Sequence, residues 1–281
     1  MRRHSECTSA GVISLEPPLG RWLRFTVGLL LAAHAARAQA ADSIGSKTLL
    51  TRSDAFVASA FLAATAGLSA FDPRIARFFE DTSLRHVRLG RRLDKIFTHI
   101  NETTLTVGGL VTYGVARLAR APTAADVALH TTEAVVAASL SSQVIRGPLG
   151  RSRPGETAMQ DQYDFHFFKG FGNFKYRAFP SIHSSSGFAA ASVLVAETRR
   201  RDRGAVWLVA PVAYGLALTP GLARMYLGQH WASDVFAGAF MGTFAGWRAV
   251  DYSYAHERTP VDRLFLGKAK PQLALTWGVS F

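Results

Sequence analysis

Residues 224–250 read RMYLGQHWASDVFAGAFMGTFAGWRAV. From His230 onward the stretch lacks the polar–apolar alternation of a strand, and Gly238, Gly242 and Gly246 recur at four-residue spacing. That spacing puts all three on one face of a helix expected from about His230 to Val250. A glycine face lets a second helix approach closely. Tight core packing is its expected use, and a dimer face is the alternative. His230 and Asp234 are four apart and share a helical face. A carboxylate so placed can accept a proton from one imidazole nitrogen, which fixes the tautomer and frees the other nitrogen as a nucleophile. Arg224 precedes this helix, where its guanidinium can fork onto a phosphate held near the helix N-terminus. The bland reading of the same residues is a helix cap and a surface pair.

Outward from this stretch the chain continues to read as helices separated by Pro and Gly. Five more are expected: about Ala55–Phe71, Glu102–Leu118, Ala124–Ile145, Ser181 to the basic cluster Arg199-Arg200-Arg201, and Ala205–Leu218, with a kink at Pro211. The fold class expected is therefore all-α: a bundle of about six core helices with the active site at one end. Residues 271–281 differ. Leu273, Leu275, Trp277, Val279 and Phe281 alternate with smaller or polar residues, which predicts a short C-terminal strand or an extended tail.

Two further clusters carry chemistry. Arg146-Gly-Pro-Leu-Gly-Arg-Ser-Arg153-Pro154 follows the third helix. Gly147, Pro148 and Gly150 predict a turn that aims Arg146 and Arg153 into one pocket, and guanidinium groups suit phosphate. Phe179-Pro180-Ser181-Ile182-His183 opens the fourth helix. Ser181 there is an ordinary N-cap, or else its hydroxyl and the free backbone N–H groups hold phosphate oxygens while His183 donates a proton. Between these clusters runs an aromatic loop with Tyr163, Phe165, Phe167, Phe168, Phe171, Phe174, Tyr176 and Phe179. It reads as a lid for an acyl or prenyl chain, or as local core.

Taken in order, the three clusters resemble the signature of the type 2 phosphatidic acid phosphatase/vanadium haloperoxidase superfamily: Lys-x6-Arg-Pro, Pro-Ser-Gly-His and Ser-Arg-x5-His-x3-Asp. Arg153-Pro154, Pro180-Ser181, His183, Arg224, His230 and Asp234 match at the family's spacing, and the resemblance spans roughly 105–248. Arg146 stands for the lysine and keeps its charge, Ile182 stands for the glycine, and Ala223 for the serine. The resemblance implies a metal-independent phosphatase with no cofactor. His230 would be the nucleophile that forms a phosphohistidine, His183 the proton donor and Asp234 the residue that orients His230. Arg146, Arg153, Arg224, Ser181 and the backbone N–H of Ile182 would bind phosphate.

Composition sets the partners and compartment. The net charge of +12 favours anionic partners, while the absence of a nucleic-acid-binding signature disfavours DNA and RNA. A phosphorylated lipid, phosphatidic acid or a polyprenyl diphosphate, is the expected substrate, and an anionic membrane surface a further partner. A soluble phosphomonoester, a non-catalytic headgroup-binding protein and a vanadium haloperoxidase are the alternatives. Arg21 and Arg24, the apolar run Phe25–Ala33 and Ala38-Gln39-Ala40 predict a signal peptide over 1–40, with a domain over 41–270 exported to the periplasm or cell envelope. Cys7, the single cysteine, would leave with it. Six full spans would put the 199–203 arginines outside, against the positive-inside tendency. A periplasmic domain lying on a membrane is therefore favoured over a multi-pass inner-membrane protein.

Overall fold

A computed structural model of the chain describes residues 52–81, 97 and 99–255. The expected signal peptide and C-terminal strand lie outside the described residues. Among the described residues seven α-helices follow one another: α1 Arg52–Ser69, α2 Asp72–Asp81, α3 Glu102–Leu118, α4 Pro122–Leu149, α5 Ile182–Arg201, α6 Val206–Tyr226 and α7 Ala232–Ala255. Three short 3-10 turns, Pro154–Glu156, Lys169–Phe171 and Phe174–Tyr176, lie in the α4–α5 connection. No strand occurs among the described residues, so the protein is an all-α bundle. α2 was not expected, because its mixed polarity gives no long apolar run.

α5 is the centre of the bundle, with α7, α4 and α6 packed around it. The glycine face of α7 makes the closest of these contacts possible. Methyl groups at Gly238 and Gly242 would overlap the carbonyls of Ser181 and Ser185, and one at Gly246 would lie 2.6 Å from that of Ala189. The backbones meet where these side chains are missing, so the glycines serve core packing. At the top of the seam the Ser181 N–H donates to Asp234 O at 3.0 Å, which ties the start of α5 to the first turn of α7. Ala134, Val135, Ala138, Ala189, Val193 and Val250 form the dry core beneath.

Two boundaries differ from the sequence reading. α4 continues through Gly147 and Pro148 to Leu149, and the turn is made by Gly150 alone at φ 60°. Only a residue without Cβ fits there, against the His166 backbone. α6 passes both Pro211 and Pro220 and ends at Tyr226, so Arg224 sits in its last turn and not in a loop before α7. Pro220 cannot donate to the carbonyl of Leu216, and the Thr219 hydroxyl takes that acceptor at 2.7 Å instead.

Among the described residues, α6 alone is long and apolar enough to cross a membrane by itself. α1 and α2 pass the same test only as a pair, bent by 56°.

Candidate active site

The C-terminal ends of α4 and α6 and the N-terminal ends of α5 and α7 meet at one end of the bundle. Arg146 comes from α4, Arg153 from the connection after it, Ser181 and His183 from the start of α5, Arg224 from the last turn of α6, and His230 from the turn before α7. Residues far apart in sequence thus converge because consecutive helices run up and down.

His230 is buried, and its Nδ1 lies 2.7 Å from the carbonyl oxygen of Ala178. A carbonyl only accepts, so Nδ1 carries the proton and Nε2 the lone pair. This corrects the expected role of Asp234. Its Oδ2 is 3.7 Å from Nδ1, beyond hydrogen-bond reach. That oxygen instead accepts from the backbone N–H of Trp231 at 2.7 Å, while Oδ1 accepts from Arg151 Nη1 at 2.5 Å. Asp234 therefore caps α7 and pairs with a buried arginine, and it reaches His230 through space only.

The surroundings hold both histidines neutral. Burial, and then Arg153, Arg224 and Arg146, push His230 well below its ordinary value. His183 is pushed down to about 3, first by burial and then by Arg224, His230, Arg146 and Arg153. The arginines feel one another as well. Arg153 is pushed down to about 9 by burial, Arg224 and Arg146, and Arg146 to about 10 by burial, Arg177 and Arg224. Crowded cations in a desolvated pocket raise each other's energy, and an anion relieves it. Arg146 Nε and His183 Nδ1 are buried without a hydrogen-bond partner, so the pocket holds polar groups that a bound oxyanion can satisfy.

Ser181 is fully buried and caps α5, its Oγ accepting from the Ser184 N–H and the Ser184 hydroxyl. Its own O–H remains to be donated. Ile182 is buried in the first turn, with its backbone N–H at the open helix end. Arg146 donates to Arg177 O at 2.8 Å, and Arg153 donates to Phe174 O at 2.9 Å and to Gln229 Oε1. The aromatic loop is thereby laced to the arginines. Phe167, Phe168, Phe171 and Phe174 are all more than half exposed, so it is not local core.

Residues 128–258 match the PAP2 superfamily. The chain carries a PAP2 superfamily domain. That domain includes every residue singled out above, from Arg146 to Asp234. Over 81 residues, 29% of this chain and 32% of the relative, the chain is 37% identical to the lipid A 4'-phosphatase of Bacteroides thetaiotaomicron. Over 128 residues, 44% of this chain and 49% of the relative, it is 34% identical to the lipid A 1-phosphatase of Rhizobium etli. The chain thus spans about a third and about half the length of these two curated relatives. No solved structure matches it.

Sequence reasoning missed four residues that the structure brings to the candidate site: Ala178, Arg151, Ser233 and Asp72. Ala178 contributes only a carbonyl, which no side-chain pattern reveals. Arg151 lay inside the quoted 146–153 cluster, but nothing local separates a structural arginine from a phosphate ligand. Asp72 lies outside the matched residues, on α2.

Proposed function

We propose that this chain is a phosphatase for a phosphorylated lipid of the lipid A class, acting in the cell envelope through a phosphohistidine at His230. One observation carries the reading: His230 has its Nδ1 proton tied to Ala178, which leaves Nε2 as a neutral nucleophile among three arginines. A neutral imidazole within a cationic pocket suits attack on a phosphate dianion, whose charge the pocket compensates. Nε2 forms a bond to phosphorus as the P–O bond to the lipid breaks. Arg146, Arg153, Arg224, the Ser181 hydroxyl and the Ile182 N–H hold the three outer oxygens. Binding of the dianion offsets the arginines that depress His183, so His183 gains a proton with the substrate. It passes that proton to the leaving oxygen and then takes one from the water that hydrolyses the phosphohistidine.

The relatives' names supply the lipid A class. Exposed Phe167, Phe168, Phe171 and Phe174 beside the pocket support an acylated substrate. Leu118 on α3 and Trp207 on α6 are more than four-fifths exposed, and further apolar residues cover the outer faces of α1 and α3; these surfaces support contact with lipid.

The test is phosphate release from lipid A, phosphatidic acid and a soluble aryl phosphate, with EDTA throughout. Lipid A is expected to be the fastest substrate, with full activity in EDTA and inhibition by micromolar vanadate. A faster soluble ester would make the chain a general phosphomonoesterase, and rescue of an EDTA-inhibited enzyme by Mg²⁺ or Zn²⁺ would refute the metal-free route. Carbonate extraction of envelopes tests location. Resistance would place the apolar faces within the bilayer, and release would place the chain on its surface.

A further inference from the structure

Asp72 opens α2, outside the residues matched to the family, and it is fully buried. Its Oδ1 accepts from the Ser233 N–H at 2.9 Å, and its Oδ2 accepts from the Ser233 hydroxyl and from Arg151 Nη2 at 2.8 Å. Arg151, itself buried, turns its other terminal nitrogen to Asp234 at 2.5 Å and to Ser233 Oγ at 2.8 Å. One guanidinium is therefore shared between two buried carboxylates. Four residues further along α2, Ala76 packs with Ala178, Met159 and Trp231, beneath the carbonyl that holds His230.

Burial raises both carboxyls, and Asp234 raises Asp72 further, while Arg151 between them favours their charged forms. The Asp234 carboxyl is the nearer to His230, at 3.7 Å from Nδ1. When Nε2 of His230 bonds to phosphorus, the imidazole becomes cationic in a pocket that already holds three arginines. A carboxylate beside Nδ1 favours that cation. Asp72 grips Arg151 by Nη2 and holds Ser233 by its N–H and hydroxyl, and so fixes the guanidinium whose Nη1 favours the charged form of Asp234 beside His230. We infer that Asp72 is a positioning residue of the phosphatase, acting through Arg151 to keep the Asp234 charge available to His230, so that α2 completes the site from outside the PAP2 domain. The inference rests on the phosphohistidine reading above.

The test compares wild type, Asp72→Asn, Arg151→Gln and the double variant, using rapid-quench trapping of ³²P-phosphoenzyme together with steady-state kinetics. Val193→Ala, in the dry core away from the site, supplies a stability control. Asp72→Asn keeps an oxygen for the Ser233 N–H but removes the charge. It is expected to slow phosphoenzyme formation and kcat by about 10- to 100-fold, the usual effect of losing a group behind the reacting residue. KM should stay within about threefold, because the phosphate-binding arginines are untouched. In the Arg151→Gln background, Asp72→Asn should change kcat by less than about twofold, since the path is already cut. The inference is overturned if Asp72→Asn only lowers Tm, as Val193→Ala does, with kcat per folded molecule retained. It is equally overturned if the full effect persists without Arg151. Absence of label on the wild type would instead remove the phosphohistidine reading, and this inference with it.

Discussion

The two ends of α5 both bury charge, and they do so in opposite ways. At the C-terminal end, roughly 24 Å from Ser181 along a helix that rises about 1.5 Å per residue, Glu197 is almost wholly buried. It accepts from His130 Nδ1 at 2.5 Å, from Tyr254 OH at 3.0 Å and from Arg201. Arg201 also donates to Tyr254 OH at 3.2 Å and lies 3.9 Å from Asp126, while Arg200 pairs with Asp251 at 3.0 Å. Donors and acceptors there answer one another. At the N-terminal end, three arginines depress two histidines, and Arg146 Nε and His183 Nδ1 have no hydrogen-bond partner. Buried charge is costly in both places. The C-terminal cluster offsets that cost with its own partners and fixes α4, α5 and α7 together. The N-terminal cluster leaves part of the cost outstanding, and a ligand's negative charge can offset it. Matched charge marks a staple, and unmatched charge of one sign marks a binding site.

The largest test of this contrast is His230→Ala. Removing the proposed nucleophile should lower kcat by at least about 10⁴-fold. Acid-labile, base-stable ³²P label should appear on the wild type alone, and normal turnover by the variant would end the assignment. Asp234→Asn comes next. It leaves Arg151 with Asp72 only and removes the charge beside Nδ1, so kcat should fall about 100-fold or more. A buried pair is also broken, so unfolding free energy should drop by about 3 kcal/mol. A change in stability without a change in kcat would make Asp234 a cap and nothing more.

Glu197→Gln should give the converse result: a loss of about 3 kcal/mol from a broken buried pair, read by thermal or urea unfolding, with kcat unchanged. A large loss of kcat at native stability would show that the two ends are coupled and the contrast is wrong. The smallest effect is a proton count. His183, at about 3 in the free protein against an ordinary 6.5, binds its proton more weakly folded than unfolded. It therefore subtracts stability as pH falls from about 6.5 towards 3. The Glu197 carboxyl is held low: burial would raise it, but the His130 and Arg201 hydrogen bonds outweigh that. Its contribution persists to lower pH and is lost below the ordinary carboxyl range. Vanadate or phosphate should raise the His183 value, so binding near pH 6 should take up as much as about one proton per site. Titration calorimetry in two buffers of different ionisation enthalpy measures this, and no uptake would argue that His183 does not face the anion.

Much of this was readable beforehand. The four-residue glycine repeat of α7 told of close helix packing because the reason is local: a missing Cβ on a repeating face. The span of α3 was legible for the same kind of reason, since Asn101 caps it and accepts from the Thr104 N–H at 3.0 Å. The length of α6 was not. Pro220 argues for a break in any one-dimensional reading, and only the Thr219 hydroxyl on the Leu216 carbonyl shows how the helix continues. α2 was missed because its mixed polarity gives no long apolar run, and the partners of its Asp72 lie far along the chain.

The sequence by itself picked out the residues proposed for the site. Arg146, Arg153, Ser181, His183, Arg224 and His230 are set by side-chain chemistry at fixed spacing, and spacing along a helix fixes which groups share an end. The tertiary structure decided how each is held. Asp234 and His230 stand four apart whatever the fold, yet the hydrogen bond from Nδ1 goes to Ala178 and the carboxylate goes to Arg151. Which of several acceptors wins depends on differences of about an ångström between segments distant in sequence, and on a backbone carbonyl that every residue possesses. Periodicity along one chain carries no information about such distances; they exist only once α2, the α4–α5 connection and the first turn of α7 are packed against one another.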